Sequence, residues 1–203
     1  TRRGYYVFRM GVVVNKALNS KNPKIIDYAK SNLRSDFMDI YLGAKCSFCV
    51  STAHGFDAFV YIFRRPIVML GSTLGDLKTH SENFLLMTKH YFLKKEKRNL
   101  SLSETFSRGL AFAFDGKTYE KNGIKILDNS PEEIKDMVIE MDECLKDNKK
   151  LSHEEEQLQK TFKDLYAANL KRYSDQIPLI RMHGQIRSLY STQFLKKNSY
   201  WLR

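Results

Sequence analysis

Ser51-Thr52-Ala53-His54-Gly55 puts two hydroxyls, an imidazole and a glycine into five consecutive residues, directly after the run Cys46 to Ser51. Hydroxyl and imidazole groups hydrogen-bond phosphate oxygens, and a glycine turn that opens a helix brings free backbone N–H groups close to an anion. The same residues also suit a plain cap, with Ser51 and Thr52 closing the helix start and Gly55 making the turn; spacing alone does not choose. Arg9 and Gly11 close the first apolar run. An arginine there suits a bidentate clamp on a diphosphate, or an ion pair with Asp27, Asp36 or Asp39. Arg34 and Asp36, in Arg34-Ser35-Asp36, present the same two options. Lys89 ends an apolar run and is placed to neutralise phosphate or simply to be solvated. Ser103 and Glu104 suit a ribose or sugar hydroxyl, whereas Ser101 to Glu104 also spells a capping box.

Other chemistries find less. Cys46 and Cys49 form a lone C-x-x-C; three residues apart in a strand they face opposite ways, so they read as core thiols rather than metal ligands. His153-Glu154-Glu155-Glu156-Gln157 lacks the second histidine of a zinc-protease helix. Neither a metal cluster nor a local Ser/His/Asp set can be assembled, so no cofactor is expected.

The elements that must position these residues alternate. Tyr5 to Met10 predicts a buried first strand, and Ser35 caps a helix over Asp36 to Leu42 with Gly43 as its stop. Cys46 to Ser51 predicts a second strand, and Phe56, Phe59, Val60 and Phe63 recur at helical spacing before Arg64-Arg65-Pro66. Ile67 to Leu70 predicts a third strand. Strand, glycine turn, helix and strand within one short stretch make a βαβ unit with parallel strands and a right-handed crossover. Asn83 to Met87 predicts a fourth strand with Lys89-His90-Tyr91 at its end and Lys94 to Arg98 as a solvated loop. Leu110 to Phe114 is apolar enough for a short element. After Lys121 helices are expected to dominate: one opened by Ser130-Pro131-Glu132-Glu133 with Ile134, Met137, Val138, Met141 and Leu145 buried, a second opened by Ser152 to Glu155 ahead of Leu158, Phe162 and Leu165, and a third over Met182 to Leu195. The expected class is α/β, a Rossmann-like three-layer αβα arrangement with a mostly parallel sheet.

The 203 residues carry 34 Lys and Arg against 23 Asp and Glu, a formal +11, and 42% are hydrophobic. That is enough for a core and too apolar for a disordered tail. No apolar run approaches the roughly 18 residues of a membrane span. Three cysteines suit a reducing compartment, so a cytoplasmic location is expected, extending to the periphery of an inner membrane. Basic residues are scattered and no nucleic-acid motif accompanies them, so surface solvation is the first explanation of the charge, a diphosphate ligand or anionic lipid headgroups the second, and nucleic-acid binding ranks last. The first residue is Thr1 rather than Met and a strand-like run already begins at Gly4, which suggests a piece lacking its N-terminal half.

Several strings together resemble a family of bacterial glycosyltransferases associated with surface-polysaccharide synthesis. They are Tyr6-Val7-Phe8-Arg9-Met10-Gly11, Ile26-Asp27-Tyr28-Ala29, Arg34 to Leu42, Ser51 to Gly55, Arg65-Pro66-Ile67, Leu102-Ser103-Glu104 and Asn129 to Ile134, in matching order up to about residue 165. The resemblance implies a two-lobed GT-B enzyme, of which residues 1–165 form the C-terminal, donor-binding lobe and 166–203 a helical extension packed on it. It implies transfer from a nucleotide-diphosphate-sugar to a glycan or lipid-linked acceptor, without a metal. It makes Arg9, Gly11, the Arg34 to Asp36 run, Ser51 to Gly55, Ser103 and Glu104 the donor-site candidates, with Lys89 beside them. Two positions depart from it: His54, where small or hydroxylated residues are common, and Gly71-Ser72-Thr73, where an asparagine is often seen. The rival expectation is a non-catalytic α/β binding or assembly module.

Overall fold

The computed structural model describes residues 1–53, 55–77, 80–113, 115–147, 150–173 and 186–203. Its contacts divide the chain into two compact units, Thr1–Cys49 with His54–Arg65, and Val50–Ala53 with Pro66–Arg203. The expected boundary at residue 165 falls inside a continuous helix, His153–Arg172.

In the first unit, β1 (Val7–Phe8) pairs in parallel with β2 (Ile25–Ile26), Val7 opposite Ile25. The expected buried strand over Tyr5 to Met10 is thus two residues long, and Val7 and Phe8 are exposed. Parallel strands gain stability when both faces are covered, and among the described residues this ribbon has no third strand. α1 (Asp36–Lys45) starts as expected: the Ser35 hydroxyl accepts from the Met38 N–H at 3.2 Å, with Asp36 and Asp39 in the first turn and Lys45 in the last. Gly43 does not stop the helix. It lies inside it, where an added Cβ would sit 3.4 Å from Phe59 Cβ, so the missing side chain lets α2 (Asp57–Ile62) approach. α2 ends before Arg64, whose φ is +55°, and Arg65 Nε donates to the Ala44 carbonyl at 2.7 Å.

β3 (Cys49–Ser51) leads into the second unit through residues 50–53. The path then runs β4 (Ile67–Ser72), β5 (Phe84–Thr88), β6 (His90–Leu93), β7 (Arg98–Asn99), α3 (Leu102–Ser107), α4 (Gly116–Lys121), β8 (Ile124–Leu127), α5 (Pro131–Asp147), α6 (His153–Arg172), β9 (Leu189–Tyr190) and α7 (Thr192–Lys197). The main sheet has the order β3-β4-β5-β9, with β4–β5 and β5–β9 parallel. Ile67-Val68-Met69-Leu70 and Phe84-Leu85-Leu86-Met87 are continuous apolar runs, as parallel strands buried on both faces require, and all eight are buried. α5 packs on β4 and α6 on β9, so helices flank this parallel sheet and the class is mixed α/β.

Several expectations change here. His90 and Tyr91 do not extend the fourth strand; they begin β6, which pairs antiparallel with β7 and β8 in a second sheet, and Lys94 to Lys97 is its exposed turn. β8 follows Lys121, where helices were expected to dominate. Leu110, Ala111 and Ala113 are buried in irregular backbone with Phe112 half-buried, and Phe114 lies outside the described residues. Of the expected helix over Met182 to Leu195, residues 182–185 lie outside the described residues, Leu189–Tyr190 is strand, and the helix begins at Thr192. Tertiary pairing with β5 overrides local pattern there.

The two long helices start at reciprocal caps, Ser130 with Glu133 and Ser152 with Glu155. Their buried stripes differ from the apolar pattern. α5 buries Met137, Glu140, Met141 and Asp142 and leaves Leu145 exposed; α6 buries Glu155, Gln159, Phe162, Tyr166, Asn169 and Leu170 rather than Leu158 and Leu165. The polar members have assigned work. Gln159 bonds both backbone groups of Tyr190, Nε2 to O at 2.6 Å and Oε1 from N at 3.0 Å, acting as a further strand on the edge at β9. Glu140 accepts from Ser191 Oγ, Thr192 N, Thr192 Oγ1 and Gln193 N, so one buried carboxylate holds the start of α7. The cysteines are half-buried rather than core, and burial raises the Cys49 thiol to about 12. No helix among the described residues is long and apolar enough to cross a membrane.

Candidate functional site

The carboxyl ends of β3, β4 and β5 bring Thr52, Gly71 and Lys89 together. Gly71 has φ +62°, a left-handed conformation that suits glycine, and a Cβ built there would lie 3.5 Å from Lys89 Cε and 3.9 Å from Thr52 Cγ2. The β4–β5 register shifts between Met69 and Ser72, and the Lys89 N–H then bonds the Ser72 carbonyl at 2.9 Å. Ahead of Thr52, Ser51 Oγ accepts from the Ala53 N–H at 3.2 Å, and Ala53 takes φ +63°, a strained value for alanine. Thr52 is exposed.

Lys89 Nζ meets Asp128 Oδ1 at 2.7 Å, and the lysine holds the Asp128 carboxyl below its usual range. Asp128 is 85% exposed. An exposed pair of this kind is worth about 0–1 kcal/mol, so a more highly charged anion can replace the carboxylate at little cost. Below it, Thr88 receives three bonds: its N–H and Oγ1 meet Tyr190 OH at 3.0 and 2.7 Å, and its carbonyl accepts from Asn129 Nδ2 at 2.8 Å. Ser72 Oγ and Asn129 Oδ1 are buried without a hydrogen-bond partner, two polar atoms left over beside the same strand ends.

The other candidates fall elsewhere. Arg9 donates from Nε and Nη2 to Asp27 at 2.8 and 2.7 Å and from Nη1 to the Lys16 carbonyl at 2.7 Å. Its fork is spent on the ion pair that was the alternative to a diphosphate clamp. Asp27 also accepts from the Leu18 N–H; that bond and Arg9 hold its carboxyl low and tie the chain around residues 16–18 to β2. Gly11, φ +140°, follows in the same segment. Arg34 Nη2 reaches Asp39 at 3.2 Å, and Asp36 is exposed at the start of α1. Gly55 is exposed in the first unit, and His54 lies outside the described residues. Glu104 completes the capping box of α3 and takes both Nη atoms of Arg98 at 2.8 and 2.6 Å, which holds its carboxyl at about 2. Ser103 faces α6 instead, where a shallow groove of ≈ 290 Å³ is lined by Ser103, Ser107, Ala168, Asn169, Arg172 and Tyr173.

Sequence reasoning missed Gly71 and Ser72 as site residues, although their departure from the resembled family was a signal, and it missed Asp128 and Asn129. It also missed a half-buried polar chain in which His90 Nδ1 meets Tyr200 OH at 2.8 Å and Nε2 meets Glu133 at 3.0 Å. Burial on its own raises the Glu133 carboxyl; the bonds from His90, Ser130 N–H and Asn198 outweigh it and hold the group down to about 2. This chain ties the C-terminal residues to the start of α5. Among the described residues no three His, Cys, Asp or Glu side chains are grouped to hold a metal. Compared with known proteins, no family model matches the chain, and no curated protein or solved structure is significantly similar to it.

Proposed function

We propose that the chain is the donor-binding lobe of a GT-B glycosyltransferase of surface-polysaccharide synthesis, holding the diphosphate of a nucleotide-sugar at the carboxyl edge of its parallel sheet. The observation that carries this is the convergence of Thr52, the left-handed backbone at Gly71 and Lys89 at three adjacent strand ends. Ligands of open α/β sheets bind at such edges. Lys89 exchanges Asp128 for a phosphate oxygen, the Thr52 hydroxyl bonds a second oxygen, and Gly71 keeps the backbone between them free of a side chain. Charge that develops on the departing diphosphate is stabilised by Lys89, which is this lobe's share of catalysis. Arg9 has no part in it, because Asp27 and Lys16 already hold its guanidinium.

Calorimetric titration with UDP-, GDP- and dTDP-sugars tests the assignment. Binding of one of them is expected, with Lys89→Ala weakening it by about tenfold, the share of one charge-assisted contact. Absence of binding by all three, or binding that Lys89→Ala leaves unchanged, overturns it.

A further inference from the structure

The groove between α3 and α6 has a polar lining that the fold does not use up. Asn169 is only 8% exposed, and its Nδ2 donates to the Leu165 carbonyl at 2.8 Å and to Ser103 Oγ at 3.4 Å. Its Oδ1 has no partner among the described residues, and because Asn169 lines the groove this acceptor faces it. Leaving a buried amide oxygen without a donor is costly, so such an atom in a groove wall points to something that fills the groove. Arg172, one turn further along α6, makes no ion pair or hydrogen bond among the described residues. Instead its guanidinium carbon lies 5.6 Å from the centre of the Tyr173 ring, on which Phe106 stacks at 6.5 Å. That ring contact positions the cation and leaves its N–H groups unspent. Ser103 Oγ keeps its proton, and Ser107 Oγ, which donates to the Glu104 carbonyl at 3.0 Å, keeps its lone pairs.

We infer that this groove is a binding site for a sugar acid, a hydroxylated ring that bears one carboxylate. The carboxylate meets the forked N–H groups of Arg172. Ring hydroxyls donate to Asn169 Oδ1 and Ser107 Oγ and accept from Ser103 Oγ, so the two kinds of protein group are both served. A phosphate offers mostly acceptor oxygens, which Asn169 Oδ1 and Ser107 Oγ repel, and α6 ends here at Arg172 with the negative end of its dipole. A neutral sugar leaves Arg172 unpaired. The volume, ≈ 290 Å³, stands at the lower end for ligand pockets and suits a single ring rather than a nucleotide-sugar. Thr52, Gly71 and Lys89 are not in its lining, so the inference stands apart from the diphosphate reading.

Saturation-transfer NMR of the whole chain tests it, with sodium glucuronate and glucose as the observed ligands and inorganic phosphate as competitor. Transfer to glucuronate is expected, with glucose about tenfold weaker, the share of one charge-assisted contact, and with phosphate at equal concentration failing to displace it. Arg172→Gln is expected to weaken glucuronate about tenfold and bring it level with glucose. Asn169→Leu, of similar size, is expected to weaken both sugars, and circular dichroism checks that it folds; Arg172 is exposed, so its variant serves even where Asn169→Leu does not fold. No transfer to glucuronate overturns the inference, as do equal transfer to glucose, displacement by equal phosphate, or glucuronate binding that Arg172→Gln leaves unchanged. Loss of glucuronate binding in Lys89→Ala assigns the sugar acid to the strand ends and overturns it too, whereas failure of every nucleotide-sugar to bind leaves it standing.

Discussion

Thirty of the 32 buried hydrophobic residues among those described belong to Val50–Ala53 and Pro66–Arg203, while the first unit buries only Tyr28 and Val60. Both regions are written in similar residue types. The second unit has two central strands long enough to be covered on both faces, and helices of 17 and 20 residues to cover them. The first has two-residue strands and short helices, so its Phe, Tyr, Ile and Val side chains meet solvent. Apolar content therefore measures what a segment can bury, and the count and length of neighbouring elements decide what it does bury.

The sharpest way to break this contrast is a pair of matched truncations. Phe162→Ala, in a fully buried ring cluster with Tyr166 and Tyr190, is expected to cost about 3–5 kcal/mol in urea denaturation. Phe37→Ser should stay within about 0.5 kcal/mol. Similar losses for both would mean that the α1 face is covered in solution. Next in size, Glu140→Gln replaces a buried carboxylate that accepts four hydrogen bonds, and a loss of about 2–4 kcal/mol is expected by the same assay. An unchanged midpoint would show that the start of α7 does not depend on it.

Acid provides a gentler comparison. Glu133 sits at about 2 when folded against 4.5 ordinarily, so its stabilising contribution is complete above 4.5 and is lost as pH falls through that interval toward 2. Stability measured against pH should fall across that window, and Glu133→Gln should flatten the fall; an identical slope in the variant would remove Glu133 from the account. Smallest of all is Asp128→Ala. Freeing Lys89 from an exposed partner should leave the unfolding midpoint in place and tighten nucleotide-sugar binding a few-fold, and weaker binding would count Asp128 as a ligand contact.

Local chemistry was legible wherever it rests on neighbours in sequence. Ser35, Ser101, Ser130 and Ser152 each cap the helix they precede, and the runs Ile67 to Leu70 and Phe84 to Met87 are the strands they resemble. The candidate site was half legible. Thr52 and Lys89 stand at the strand ends where phosphate chemistry was expected of them, but Arg9 and Glu104 are consumed by Asp27 and Arg98. Nothing in a string of residues says which charged partner a side chain will meet, because that partner is 18 positions away for Arg9 and 6 positions away for Glu104.

Composition, capping and hydrophobic runs are short-range properties, and they were enough to establish an α/β chain, its long helices and its central strands. Long-range pairing decided the rest. Leu189–Tyr190 becomes strand because β5 offers it an open edge and Gln159 closes the other side, and Glu140 is buried because the start of α7 needs a carboxylate there. Arg9 is withheld from any ligand because Asp27 is nearer. Hydrogen-bond donors and buried charges must be satisfied by whatever the fold brings within about 3 Å, and that partner exists only once the chain is assembled.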